Sequence, residues 1–154
     1  MTNRAEQFAP LPTERAERWA KFGKWDTTYF PQFLGLDLEE VRTDYARMRL
    51  AYRPEFLQPA GVWHGGVIAS MIDTVVVPAV GGGYDELRQL FTIDIQLRYL
   101  SPIAPGEDAV AEGWVVRRGR SIVYCDAEVC SASGAVAATA TLVYKVSSRV
   151  QEIT

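Results

Sequence analysis

Histidine is nearly absent from this chain and cysteine is scarce, with one and two residues respectively among 154. A zinc site built on cysteine and histidine is excluded, because carboxylates would have to fill most of the ligand set and no metal-type spacing occurs. No metal is expected. Cys125 and Cys130 lie five apart on what reads as one strand, and an odd separation sends them to opposite faces, so they are expected as free thiols. Positive charge is also not in excess: 16 lysines and arginines stand against 19 aspartates and glutamates, a net charge of -3. That sign argues against nucleic acid as a partner. No apolar run approaches the roughly 20 residues of a membrane span, since the longest, Val67 to Val80, is interrupted by Asp73 and Thr74. The opening MTNRAEQFAPLPTERAERW lacks the apolar centre of a signal peptide. A soluble, cytoplasmic protein without a membrane partner is expected. There is no Gly-x-Ser-x-Gly elbow, so serine hydrolysis is not supported and Ser70 near His64 is a coincidence of spacing. Internal repeats, low-complexity tracts and interdomain linkers are missing too, and 48% apolar residues fit one domain with a real core.

What is present is organised by period. Residues 1–12 are polar and proline-rich; Pro12-Thr13 then offers a helix start with Thr13 as N-cap, and Ala16, Trp19, Ala20 and Gly23 follow at helical spacing. The charges of this short amphipathic helix are mixed, which fits docking on the domain, leaning over a ligand site, better than lying on a membrane. A strand at 36–42 precedes one in which Ala46, Met48, Leu50 and Tyr52 alternate with Arg47, Arg49 and Arg53. From about Gly65 to Val80 the residues Ile68, Met71, Ile72, Val75, Val76 and Ala79 recur at helical spacing. This helix is apolar almost all round, the pattern of one wrapped by other structure, and Pro78 is expected to kink or end it. After Gly81-Gly82-Gly83 comes a strand with Phe91, Ile93, Ile95, Leu97 and Tyr99 on one face and Thr92, Asp94, Gln96 and Arg98 on the other. Strands at about 108–117, 121–132 and 136–146 follow, joined by turns at Arg118-Gly119-Arg120 and Ser133-Gly134. This order predicts an α+β fold, a curved antiparallel sheet around one long central helix.

The segment from Gly61 to Asp73 carries the chemistry. It holds the histidine, His64, and Gly65 and Gly66 sit where the helix begins. The first N–H groups of a helix have no intrahelical partner, and glycine leaves them open to close approach, so such an end can polarise a carbonyl or hold an oxyanion. Asp73 interrupts an apolar helix, and a buried carboxylate needs partners. It is a chemical group, or it lies on a solvated stripe, or it bonds a neighbouring hydroxyl. His64 alone reads equally as a capping or core group. Arg117, Arg118 and Arg120 crowd the turn with Gly119, either to pair with phosphates or as a solvated basic hairpin.

The pattern Gly61-x-x-His64-Gly65-Gly66 followed by Asp73 resembles the hotdog-fold thioesterases, in particular their PaaI-like, phenylacetic-acid-degradation branch. The likeness runs from Phe33-Leu34-Gly35 to Val146, through Tyr99-Leu100-Ser101-Pro102, Pro105-Gly106-Glu107, the Arg-Gly-Arg turn and Ser133-Gly134-Ala135-Val136-Ala137. It places a hotdog domain at 33–148, between an N-terminal segment at 1–32 and a tail at 149–154.

The resemblance implies hydrolysis of acyl-CoA thioesters, aryl- and phenylacetyl-CoA among them, by a homodimer or a tetramer of dimers. The site would lie at the dimer interface, with no metal or bound cofactor. By that likeness Asp73 of one subunit is general base or nucleophile, and Gly65 of the other donates its N–H to the thioester oxygen. Gly66 and the turn Arg117 to Arg120 would contact CoA, and His64 orients or hydrogen-bonds the thioester. Gln58 stands where the family often has asparagine, and Thr92 matches the position of a water-binding serine. Two other readings share the fold. One is a non-catalytic acyl-CoA binding module, motivated by Gln58 and Pro78; the other is a dehydratase acting on hydroxyacyl thioesters.

Overall fold

The structure, a computed structural model, describes residues 3–152, so the extreme ends of the two terminal segments, 1–2 and 153–154, lie outside the described residues. Three α-helices, α1 (Thr13–Trp19), α2 (Phe30–Leu34) and α3 (Gly65–Gly81), accompany six strands among those residues. The strands are β1 (Leu36–Arg42), β2 (Tyr45–Leu50), β3 (Arg88–Tyr99), β4 (Ala109–Arg118), β5 (Ile122–Ser131) and β6 (Val136–Val150). They pair antiparallel throughout in the order β1-β2-β4-β5-β6-β3. The alternation of β2 buries Ala46, Met48 and Leu50 and turns Arg47 and Arg49 outward, and β5 buries Val123, Cys125, Ala127 and Val129 in the same way. Across these inward faces lies α3, burying Ile68, Met71, Ile72, Val75, Val76, Ala79 and Val80. This is the α+β arrangement that the order of elements predicts.

Small side chains let the helix approach the sheet. Gly113 of β4 sits in register between Ala46 and Ala127, and a Cβ there would lie 2.9 Å from the Cγ1 atoms of both Val75 and Val76. Overpacking of this kind typically costs about 1–3 kcal/mol. Gly113→Ala is therefore expected to lower stability by that amount in chemical denaturation, with the denaturant slope unchanged.

Several local expectations are corrected. Thr13 is the first residue of α1 rather than its cap; the extended Pro12 precedes it, with no side-chain cap bond. Residues 4–7 form a 3₁₀ turn that brings Phe8 onto Tyr45, with ring centroids 5.2 Å apart. Helix α2 has no periodicity to announce it, only Pro31 near its start and Gly35 at φ 86° beyond its end. Strand β2 stops at Leu50, because the Tyr52 N–H donates to the Asp108 carboxylate instead of a strand partner. Pro78 does not end α3, which runs on to Gly81; the proline is near the C-terminus, where its missing N–H removes one helical bond, and its carbonyl accepts from Gly82. Strand β6 continues to Val150, four residues past the alternation read from sequence.

Strand β3 departs most from expectation. Its pairing with β6 slips between Thr92, opposite Tyr144, and Asp94, opposite Val143, so Ile93 is an extra, unpaired residue. Beyond a bulge every side chain changes face. Thr92, assigned from sequence to the polar face with Asp94, instead shares the inward face with Ile95, Leu97 and Tyr99, opposite the inward-facing Tyr144, Leu142, Ala140 and Ala138.

Candidate active site

Asp73 lies in the middle of α3, half-buried, on the less covered stripe that includes Gly66, Ser70 and Val77. Two hydroxyls meet its Oδ1. Thr92, turned inward by the bulge, donates at 2.8 Å, and Tyr144 of the adjacent strand donates from the other side. The Tyr144 hydroxyl is also 2.6 Å from the main-chain carbonyl of Asp73. Burial, reinforced by the Asp73 charge, pushes the Tyr144 phenol well above its ordinary pKa, so it stays a donor. Oδ2 accepts no hydrogen bond from the described residues. Of the three readings that the sequence left open for Asp73, the hydroxyl partner is observed twice over, on the less covered stripe of the helix.

Above Asp73 opens a cavity of about 700 Å³, with Asp73, Thr92, Tyr144 and Val77 on one side. The opposing wall is the N-terminal segment, whose Trp19, Phe22, Trp25 and Tyr29 form a ladder of rings with centroids 6.3, 5.0 and 5.5 Å apart in turn. Trp19 rests on Gly81, where any Cβ would collide with the indole. The end of α1 and the residues after it thus face the cavity, and Arg18, Lys21 and Lys24, which the sequence offered only as helix charges, line it with Arg88.

The start of α3 is a second, separate cluster. His64 is the N-cap, and its Nδ1 accepts the Gly66 N–H at 2.8 Å, which places the imidazole proton on Nε2 and commits the Gly66 N–H to the cap. The Gly65 N–H is left without an acceptor among the described residues. Tyr99 donates to the Gly65 carbonyl at 2.6 Å, and a Cβ on Gly65 would lie 2.9 Å from the Tyr99 ring, so any larger residue there must displace the tyrosine. Gln58 builds the preceding loop: its Oε1 accepts from Ala60 at 2.7 Å, its N–H donates to Val62, and Gly61 at φ 82° completes the turn. One chain does not bring the two clusters together, because Asp73 lies eight positions along the helix from Gly65, about 12 Å at 1.5 Å per residue.

The basic turn stands apart from both. Arg118 is fixed by Asp44 at 2.6 Å and by the carbonyl of Val80 at 3.0 Å, with its guanidinium 4.9 Å above the Tyr84 ring, so its Nε and Nη2 donors are engaged at the end of α3, and Nη1 is buried without a partner among the described residues. Arg117, Gly119 and Arg120 are exposed, and none of the four residues lines the cavity. Cys125 and Cys130 are both free thiols, and burial pushes Cys125 up to about 12, which leaves it unreactive. No group of three or more histidine, cysteine or acidic side chains gathers as metal ligands, and no helix is long and apolar enough to cross a membrane, among the described residues. Tyr144 was missed by sequence reasoning. Its signal was a phenol on a strand face otherwise made of Ala138, Ala140, Leu142 and Val146, since a buried hydroxyl requires a partner.

Among the described residues the edge strand β3 is paired only with β6, and it exposes Phe91, Ile93 and Tyr99, with Leu100 exposed just past its end. Such an edge is a ready template for a second chain.

Comparison with known proteins agrees with this architecture. The model of the thioesterase superfamily matches residues 60–138, which include both clusters' helix. The PaaI protein of the phenylacetic acid degradation operon of Escherichia coli superposes with a TM-score of 0.81 over 91% of this chain and 98% of its own, at 16% identity. A Streptococcus mutans protein solved with acetyl-CoA superposes with a TM-score of 0.70 over 82% of this chain and 97% of its own, at 19% identity. A candidate esterase of Saccharolobus solfataricus is 29% identical over 109 residues, 71% of this chain and 76% of its own. The arrangement is the hotdog fold that the motif implied.

Proposed function

The chain belongs to the thioesterase superfamily, and from that premise we propose that it hydrolyses acyl-CoA thioesters in the cytoplasm, as a homodimer or a tetramer of dimers whose site is shared between two subunits. The observation that carries this reading is the separation of Gly65 and Asp73 along one helix. Each is half of a hydrolytic site, and both lie beside the unpaired edge of β3. A second copy docked on that edge supplies the missing half at each end.

In such a site the Asp73 carboxylate takes a proton from water as the water oxygen attacks the thioester carbon. Negative charge develops on the carbonyl oxygen, where the Gly65 N–H of the second copy, at the positive end of its helix, stabilises it. Collapse breaks the C–S bond, and the CoA thiolate takes the proton back from Asp73, leaving the free acid. His64 offers its Nε2–H to the same thioester. No metal or cofactor enters these steps.

The acyl group fits the cavity under the aromatic ladder. Its size and its rings favour a bulky acyl group over acetyl, in keeping with the operon of the E. coli relative. Release of free thiol from acetyl-, medium-chain, long-chain, phenylacetyl- and hydroxybenzoyl-CoA tests the reading. Turnover, fastest with the bulky acyl groups, is expected. Binding without turnover by the folded protein would leave the binding module, and hydration of an enoyl-CoA would establish the dehydratase.

Trp25 packs edge-on against both Phe22 and Tyr29 within the wall. Loss of one buried aromatic contact is worth about 1.5 kcal/mol, so Trp25→Ala is expected to raise KM for phenylacetyl-CoA about tenfold. The value for acetyl-CoA stays within about twofold, as steady-state kinetics on the two substrates will show.

A further inference from the structure

We propose that Tyr144 is the positioning residue for Asp73, holding Oδ1 so that Oδ2 alone is presented to the reacting water; the catalytic half of this statement rests on the thioesterase reading. A helical aspartate turns freely about two side-chain bonds, and nothing else on α3 fixes Asp73. The Ser70 and Thr74 hydroxyls on either side are both spent on carbonyls of their own helix, Gly66 and Ser70 respectively. Restraint comes from the sheet.

The Tyr144 hydroxyl lies within reach of both the Oδ1 atom and the main-chain carbonyl of the same residue and shares its single proton between them, so the phenol ties the movable to the immovable part of Asp73. Its ring is 2% exposed and packed in the core, which makes the hydroxyl a fixed point rather than a mobile donor. Thr92 supplies the second donor to Oδ1 from the register position opposite Tyr144. That placement exists only because Ile93 bulges: with regular alternation through Ile93, Thr92 and the inward residues that follow it would not share a face. Two donors on one carboxylate oxygen and none on the other make the two oxygens unequal, and the unengaged one belongs to the group that lines the cavity. General base catalysis depends on such placement, and a displacement of about 1 Å can cost about 100-fold.

Tyr144→Phe keeps the ring and removes the hydroxyl. It is expected to lower kcat about 10- to 100-fold with KM within about twofold, and its crystal structure is expected to show the Asp73 carboxylate turned from its wild-type rotamer. A role in packing alone would move thermal stability and leave kcat in place. Thr92→Val is expected to lower kcat about tenfold, and Thr92→Ser, which restores the hydroxyl, to recover it. If Tyr144→Phe does not fold, an unchanged kcat in Thr92→Val overturns the premise that donors on Oδ1 position the carboxylate, and with it the role of Tyr144. An unchanged kcat in Tyr144→Phe, or an Asp73 carboxylate unmoved in that variant, would overturn the proposal. If the wild-type protein hydrolyses no acyl-CoA, the thioesterase reading fails by itself, and the Asp73 rotamer in Tyr144→Phe still decides the positioning role.

Discussion

Asp73→Asn is expected to lower kcat for acyl-CoA hydrolysis by about 1,000-fold, within the range that a positioned acid or base contributes, while KM stays within a few-fold. Asparagine has the shape of aspartate, and its carbonyl oxygen still accepts from Thr92 and Tyr144, so the cavity and the hydroxyl pair are retained. What disappears is an oxygen able to take a proton from water. Asp73→Ala is expected to show the same loss in a folded protein, because the Tyr144 hydroxyl keeps the main-chain carbonyl at 2.6 Å as an acceptor and is not orphaned. A kcat within tenfold of wild type in either variant places the base elsewhere. Steady-state thiol release together with thermal denaturation reads both the chemistry and the fold.

The second large effect concerns subunits. Gly65→Ala places a Cβ beside the free N–H and 2.9 Å from the exposed Tyr99 ring; whichever of the two gives way, the methyl stands where glycine leaves the thioester oxygen open access to that N–H. Loss of one such donor costs about 100- to 1,000-fold in kcat. When Asp73→Asn and Gly65→Ala chains are unfolded and refolded together, each heterodimer contains one site with both defects and one with neither. Random pairing then restores about one quarter of wild-type activity from two nearly inactive parents. If Asp73 and Gly65 served the same site from within one chain, mixing would restore nothing. The distance along α3 is the physical reason to expect recovery.

Much of this was legible in the sequence, because burial on one face writes a period into it. The central helix, the alternation of β2 and the hairpins at Arg118-Gly119-Arg120 and Ser133-Gly134 all follow from such patterns, and the glycine pair beside His64 marked the helix start. The active-site detail did not follow, for three separate reasons. Phe91, Ile93 and Ile95 are all apolar, so an unbroken alternation could be read straight through the bulge, and Thr92 fell on the wrong face. Tyr144 took part in a regular inward series and passed as core, although its hydroxyl and the partner-seeking carboxylate of Asp73 answer each other. Arg118 looked free because its partner Asp44 is distant in sequence. The cavity wall was only hinted at, since Trp19, Phe22, Trp25 and Tyr29 extend past the end of α1 into turns with no repeat to mark them. Periodicity reports which side of an element is buried, whereas a pairing slip or an ion pair joins positions that no local pattern connects.

Whether water activated by Asp73 cleaves the acyl-CoA thioester is read from incubation of the purified protein with phenylacetyl-CoA in ¹⁸O-labelled water, with the acid analysed by mass spectrometry and the free thiol counted in parallel. One thiol per acid, one solvent oxygen in each acid from the first turnover onward, and loss of both products in Asp73→Asn are expected. Unlabelled acid in the first turnover, with the label found on Asp73, would make the carboxylate a nucleophile; no thiol released by folded, dimeric protein from any acyl-CoA would remove thioester hydrolysis as its function.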